Sequence, residues 1–269
     1  MQTDRAADTA KRAAAKAGSH IKERLGHSKI DYKGAFNLVT DVDQASEKMI
    51  LEILRADFPD DSILAEEGGG SEKKTSRRWL IDPLDGTTNF AHSYPFFAVS
   101  IALEVDAEVV VGVVFNPISG ELFSAQKGKG AFLNSEPISV SQVPTVNESL
   151  LATGFPPDSG NASQNNIAAF AAITHLCHGV RRDGSAALDL CYVASGRLEG
   201  FWEFKLAPWD IGAGSLIVRE AGGLTTDVDG SPLKLETGHI LATNGKIHNE
   251  VMQVIERVNA ETASKQTQK

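Results

Sequence analysis

Positive charge is what this sequence has too little of. Asp and Glu number 35 against 26 Lys and Arg, a net charge of −9 over 269 residues. A chain that holds nucleic acid by neutralising phosphates carries the opposite excess, and an anionic membrane surface also selects for it. Neither partner is expected. Cysteine is scarce as well, with Cys177 and Cys191 the whole supply. They lie in largely apolar stretches at no metal-ligand spacing, so both are expected as reduced, small core residues rather than a disulfide or a catalytic thiol. His175 and His178 flank Cys177 without a second such cluster, and no metal site is expected there. Long apolar runs are missing too: Val109–Phe115, interrupted by Gly112, is far shorter than the roughly 18 residues of a membrane span. Met1–Arg24 mixes Ala with Lys, Arg and Asp and lacks the apolar centre of a secretory leader, so it is read as part of a mature cytoplasmic protein. The glycosylation sequons at Asn147 and Asn161 are then chance matches.

What is present is the composition of an ordinary globular protein, 42% hydrophobic and 23% charged. That apolar content excludes disorder as the overall state. The length suits one large domain or two smaller ones, at about 150 residues per domain. The surplus of carboxylates leaves a question: they are either solvated surface or gathered for chemistry.

Periodicity predicts a helix from about Thr3 to Arg24, with Ala6, Ala10, Ala13, Ala14, Ala17 and Ile21 on one face. A second is predicted over Asp43–Phe58, burying Met49, Ile50, Ile53 and Leu54 and stopped by Pro59. Residues 66–78 are rich in Gly and charge and read as a loop, in which Gly68-Gly69-Gly70 is either a hinge or solvated linker. Strands are predicted at Trp79–Ile81, Phe97–Leu103, Val109–Phe115 and Glu121–Ala125, with Asn116–Gly120 as a hairpin turn. Lys127-Gly128-Lys129-Gly130 lacks the spacing of a phosphate-binding P-loop and reads as another turn. Further on come strands at Ser149–Thr153, Gly200–Glu203 and Ile240–Thr243. Helices are predicted at Asn165–His175, Gly184–Ala194, Trp209–Ala221 and Lys246–Ala260, with Gly222-Gly223 as a stop. The alternation predicts one mixed α/β unit in two packed halves, about 1–143 and 144–262, meeting near Gln142–Asn147. A polar tail, 262–269, is expected to fray.

The chemistry concentrates in Asp82-Pro83-Leu84-Asp85-Gly86-Thr87-Thr88-Asn89-Phe90. An apolar strand ends in Asp82; Pro83 cannot continue the ladder and turns the chain. Asp82 and Asp85 can then converge with the Leu84 carbonyl between them, an oxygen cluster suited to a hard divalent cation. A helix starting after Gly86 would present unpaired N–H groups to a phosphate. The same residues could form no more than a capped turn. Glu66-Glu67 before the loop and Asp210 at a predicted helix start add acids, although Asp210 could serve as an N-cap. Arg181-Arg182 reads equally as a phosphate attractor and as a solvated pair, and His92 as a surface or packing residue.

Asp82–Phe90 resembles the first signature of the inositol monophosphatase family. Trp209-Asp210-Ile211-Gly212-Ala213-Gly214, continuing to Glu220-Ala221-Gly222-Gly223, resembles its second. Glu66-Glu67 stands where that family has an upstream Glu pair, and Arg182–Asp189 is similar to the pocket segment of its bacterial members. The similarity runs in order from about residue 5 to 260. It implies a layered α-β-α-β-α sandwich, usually dimeric, that hydrolyses phosphate monoesters by attack of a metal-activated water, with two or three Mg²⁺ ions per site and sensitivity to lithium. By position, Glu66, Asp82, the Leu84 carbonyl, Asp85 and Asp210 would be metal ligands. Glu66 and Thr87 would orient the water, with Asp43 hydrogen-bonded behind Thr87. The Gly86 and Thr87 amides would hold the phosphate. Asp85, Gly184, Ser185, Ala186, Glu203 and Asp210 would line the substrate pocket. The resemblance favours myo-inositol monophosphate. Fructose 1,6-bisphosphate, 3′-phosphoadenosine 5′-phosphate and histidinol phosphate are alternatives on the same fold, and a non-catalytic regulatory protein is an alternative of another kind.

Overall fold

The computed structural model describes residues 2–27, 29–32, 38–68, 75–155 and 166–267. Gly69 and Gly70, Asn161 and Asn165 lie outside the described residues. Helix α1 (Gln2–Arg24) is followed by a small antiparallel pair, β1 (Ile30–Tyr32) and β2 (Leu38–Thr40), and by α2 (Asp41–Asp57). Seven strands then form the first sheet: β3 (Ser62–Ala65), β4 (Arg77–Asp85), β5 (Ala98–Val105), β6 (Glu108–Asn116), β7 (Glu121–Gln126), β8 (Ala131–Leu133) and β9 (Glu136–Ile138). They lie side by side in chain order, antiparallel except for β3 with β4. The five-residue helix α3 (Thr87–Ala91) interrupts them after β4.

The second sheet is built from β10 (Leu150–Thr153), β11 (Gly179–Arg181), β12 (Gly200–Glu203), β13 (Leu224–Thr226) and β14 (Ile240–Thr243), in the order β11-β10-β12-β14-β13. Between these strands run α4 (Ile167–Thr174), α5 (Ala186–Ala194) and α6 (Pro208–Glu220), and α7 (His248–Thr267) closes the chain.

Side-chain alternation along the strands separates three cores. In β4, Trp79 and Ile81 face outward to the Ala6, Ala10, Ala13 and Ala17 stripe of α1 and to Ile50 and Leu54 of α2, whereas Leu80 faces inward. In β12, Phe201 joins Leu80 in the central core while Trp202 packs with Ile173 of α4 and Val251 and Ile255 of α7. Helices α5 and α6 fill the space between the sheets. Eight successive residues of α6, Ile211–Val218, are buried, as a helix covered on all sides requires. The layers are therefore helix, sheet, helix, sheet, helix, the α-β-α-β-α sandwich.

Close approach explains the small residues of the middle layer. A Cβ on Gly112 of β6 would lie 2.7 Å from the Ala213 carbonyl oxygen, and one on Gly214 would lie 2.6 Å from Leu190 Cβ. Buried Cys191 belongs to the same layer, and half-buried Cys177 follows α4; both are free thiols.

Several sequence expectations need correction. On α2, Leu51, Ser46 and Glu47 are buried with Ile50 and Leu54, while Met49 and Ile53 are only half-buried. The chain resumes a strand at Arg77, inside the expected loop, and Pro83 does not end β4, which runs on to Asp85. The polar segment after Glu261 continues α7 to Thr267 rather than fraying at once. Strands β3, β8, β9, β11 and β13 were not predicted, each being only three or four residues long. No helix among the described residues is long and apolar enough to cross a membrane.

Because the atoms facing Gly112 are backbone, they cannot rotate away. Gly112→Ala is expected to destabilise the protein by about 1–3 kcal/mol through overpacking, read as a lower urea midpoint with an unchanged slope.

Candidate active site

The end of β4 brings its two acids to one side by an irregularity. Asp82 pairs with Ser100 and Asp85 with Ala98, so three steps on β4 match two on β5. The extra residue makes a bulge, in which Pro83 needs no ladder partner. Leu84 turns outward to the core holding Trp79 and Ile81, and its amide donates to Asp82 Oδ1 at 2.9 Å. Gly86 follows at φ +96°. A Cβ there would be 3.0 Å from the Phe96 carbonyl oxygen and 3.2 Å from that of Gly184, so both conformation and space demand glycine.

Thr87 opens α3. Its hydroxyl lies 2.9 Å from Asp43 Oδ1 and 3.0 Å from the Leu84 carbonyl oxygen, and its one proton goes to one of these acceptors. Asp43 is the third residue of α2 and closes a capping box: Oδ2 accepts from the Thr40 amide at 2.8 Å and its hydroxyl at 2.5 Å. Burial raises the Asp43 pKa against these hydrogen bonds. Asn89, quoted within the signature but given no role, bridges two segments: its amide donates at 2.7 Å to both the Phe96 and the Asp183 carbonyl.

The central helices supply the other walls. Ser185 caps α5 by accepting from the Leu188 amide at 3.3 Å and donates to Asp85 Oδ2 at 2.6 Å. The Ala187 amide donates to that same oxygen at 2.8 Å, so Asp85 sits on the donor-rich end of a helix. Asp210 is the third residue of α6 rather than its N-cap, which is Ala207; Asp210 Oδ2 reaches back to the Ala207 amide at 2.7 Å. The Ser100 hydroxyl donates to the Trp209 carbonyl at 3.1 Å, pinning this turn to β5. Glu203 ends β12, and Gly154 gives it room, since a Cβ there would overlap the Glu203 carboxylate at 2.1 Å. In the second signature, Glu220 lies outside the site. It accepts from the Gly128 and Gly130 amides at 2.7 and 2.8 Å, fastening the Lys127–Gly130 turn.

These pieces enclose one cleft of about 200 Å³. Glu66, Asp82, Leu84, Asp85, Gly86, Thr87, Gly184, Ser185, Ala186, Glu203 and Asp210 all line it, while Asp43 stands behind Thr87. Arg182 and Asp189, the two ends of the segment similar to the bacterial pocket segment, line it as well; the sequence gives neither of them an individual role there. His92 is exposed at the end of α3.

Burial, then the Glu66, Asp85 and Asp210 charges, pushes the Asp82 carboxyl well above the ordinary range. Burial raises Asp85 to about 6 despite the hydrogen bonds from Ser185 and from the Ala187 and Ala186 amides. Asp210 and Glu203 rise to about 8, mainly through burial, with Asp85 repelling both. Oxygen is the only donor type these acids and the Leu84 carbonyl provide, which fits a hard divalent cation. Among the described residues no group of three or more His, Cys, Asp or Glu already forms a metal cage. Mg²⁺, which keeps several waters and binds through one or two carboxylates plus phosphate, needs none.

An acidic, oxygen-lined cleft beside a glycine turn, set between the two sheets of a five-layer sandwich, defines a class of protein suited to phosphate esters. Residues 2–260 match the model of the inositol monophosphatase family, and the chain belongs to that family. It is 51% identical over 242 residues to the inositol-1-monophosphatase of Synechocystis sp., covering 89% of this chain and 84% of that one. It is 43% identical over 249 residues to the Nus factor SuhB of Pasteurella multocida, covering 91% and 93%. The solved structure of the inositol monophosphatase from Anabaena (Nostoc) matches with a TM-score of 0.89 at 45% identity, over 96% of this chain and 97% of that one. The family makes the protein a phosphatase.

The raised carboxyls set the pH response of the metal-free protein. The folded state keeps protons that the unfolded chain releases near pH 4, so their contribution is complete below that pH and is lost as pH rises through about 6 for Asp85 and about 8 for Glu203 and Asp210. In EDTA, the urea midpoint is expected to fall between pH 5.5 and 8.5, and added Mg²⁺ is expected to reduce the fall.

Proposed function

We propose that the protein is a Mg²⁺-dependent phosphate monoester hydrolase whose substrate is myo-inositol monophosphate. One observation carries this reading: acids from distant parts of the chain share a single cleft with the Gly86–Thr87 turn. Glu66, Asp82, the Leu84 carbonyl, Asp85 and Asp210 would hold two or three cations. When bound, these supply Lewis acidity, countering charge on the phosphoryl and leaving oxygens and making water easier to deprotonate.

The protein's own groups do the positioning. Thr87 is held by Asp43 and the Leu84 carbonyl, which leaves its hydroxyl oxygen able to accept a hydrogen bond from water. Glu66 takes the other side of that water. The Gly86 and Thr87 amides, at the open end of α3, donate to the phosphate. Asp85 spends Oδ2 on Ser185 and Ala187, which fixes the direction of its other oxygen. Ser185, having given its proton to Asp85, contributes to the pocket mainly by orienting that acid. Glu203, Gly184, Ala186 and the remaining Asp210 contacts would face the cyclitol. A carboxyl with a pKa near 8 can donate a hydrogen bond to a substrate hydroxyl as well as accept one.

The reading takes the chain as two lobes divided near residue 143, working as a lithium-sensitive cytoplasmic homodimer. The net charge of −9 supports the absence of a nucleic-acid partner. The resemblance to a protein named Nus factor SuhB favours a second reading, a regulatory binding role that needs no turnover.

Purified protein with Mg²⁺ is expected to release phosphate from inositol 1-phosphate faster than from fructose 1,6-bisphosphate, 3′-phosphoadenosine 5′-phosphate or histidinol phosphate. Failure on all four would leave the regulatory reading, and preference for another of them would change only the substrate. Asp85→Asn is expected to lower turnover by at least about 100-fold, since losing a ligand costs more than losing a group that merely orients one. Its circular dichroism should match the parent.

A further inference from the structure

Helix α2 carries two buried carboxylates one turn apart, Asp43 and Glu47, and each reaches a segment of the cleft. Asp43 meets the Thr87 hydroxyl. Glu47, 4% exposed, accepts the Glu67 amide on Oε2 at 2.8 Å. The amide just before it, Glu66 N–H, donates to the Ile81 carbonyl at 3.2 Å, one residue ahead of Asp82. Two successive amides of the turn after β3 are thus fixed from different elements, one by the strand that bears Asp82 and the other by α2. Gly68 follows at φ +90°. The residue framed by these anchors is Glu66, which lines the cleft, whereas Glu47 does not.

We propose that Glu47 is a positioning residue for cation binding: its carboxylate holds the Glu67 amide and so sets Glu66 at the cleft. This rests on reading Glu66 and Asp85 as cation ligands. A glutamate on an amphipathic helix belongs in water, and burying its carboxylate is costly unless hydrogen bonds compensate. An acceptor carrying charge makes a stronger hydrogen bond to a backbone amide than a neutral one does. Without that anchor the Glu66 turn would lose one of its fixed points, more of its ordering would fall on cation binding, and affinity would drop by the added entropy cost.

Mn²⁺ provides the probe, its free concentration read by electron paramagnetic resonance with the full chain. Glu47→Met keeps the side-chain length and removes the acceptor; Glu47→Gln keeps a carbonyl acceptor and removes the charge. Glu47→Met is expected to weaken Mn²⁺ binding about 10- to 100-fold, as loss of a ligand-orienting partner does. Glu47→Gln is expected to stay within about threefold of the parent, the amide carbonyl replacing the acceptor. Parent-like affinity in Glu47→Met overturns the proposal, and so does equal weakening in both variants, which would assign the effect to charge rather than to the hydrogen bond. Asp85→Asn, titrated alongside, separates the two levels. If it binds Mn²⁺ like the parent, the cation reading fails and the proposal with it. If it is weakened while Glu47→Met is not, the proposal alone fails. Should Glu47→Met not fold, amide exchange in the metal-free parent decides. The Glu67 N–H is expected to be protected, and exchange at the rate of an open loop overturns the anchor.

Discussion

The burial of several carboxylates in one cleft is the constraint around which this molecule is built. Burial disfavours each of Asp82, Asp85 and Asp210 as an anion, and the charges of neighbouring acids add to this at Asp82 and Asp210, where a hydrogen bond with Asp82 offsets part of the effect on Asp210. They stay together because the surrounding elements hold them there. Donors from the start of α5 grip Asp85, the backbone at the start of α6 grips Asp210, and the Leu84 amide grips Asp82. A cation fits this design because it supplies the one interaction the protein withholds, a positive charge at the centre.

These supports come from far apart in sequence. The Ser185 contact to Asp85 spans 100 residues, and the Asn89 contact to Asp183 spans 94. The first sheet alone cannot form the cleft, because α5, α6 and β12 complete its walls. The middle layer of helices therefore has two functions: it fills the space between the sheets and it aims its N-terminal ends at the acids. Small residues such as Gly112 and Gly214 let the layers approach closely enough for both.

Much of this could be read from the amino acids. The α1 stripe and the main strands of the first sheet follow from period and punctuation, the Asp82–Thr87 cluster from its acids and glycine, and the other cleft-lining residues from the family resemblance alone. Glu47 could not be read that way, since a charged residue on an amphipathic helix counts as solvated surface and its amide partner is twenty positions away. Short strands such as β3 and β11 escaped because three or four residues give too little alternation to tell from a loop. Asp210 was placed at a helix start by its neighbours, but its exact turn depended on Pro208 fitting the first position of α6. Whether Pro83 ended or merely bent its strand was decided by β5, which lies opposite.

That bend has an evolutionary consequence. Residues three apart on a regular strand project to opposite faces, so Asp82 and Asp85 share a side only because one surplus residue lies between them. Substitutions at Pro83 or Leu84 can be tested by selection one at a time, each preserving the count. A deletion of either codon would restore regular pairing and leave both acids on one side, but it would remove the bulge in which the Leu84 amide meets Asp82 and the Leu84 carbonyl meets Thr87. The segment is free to vary in chemistry at some positions but not in length, and a frame-preserving loss that a sheet would ordinarily welcome would here remove the contacts that tie Leu84 to Asp82 and Thr87.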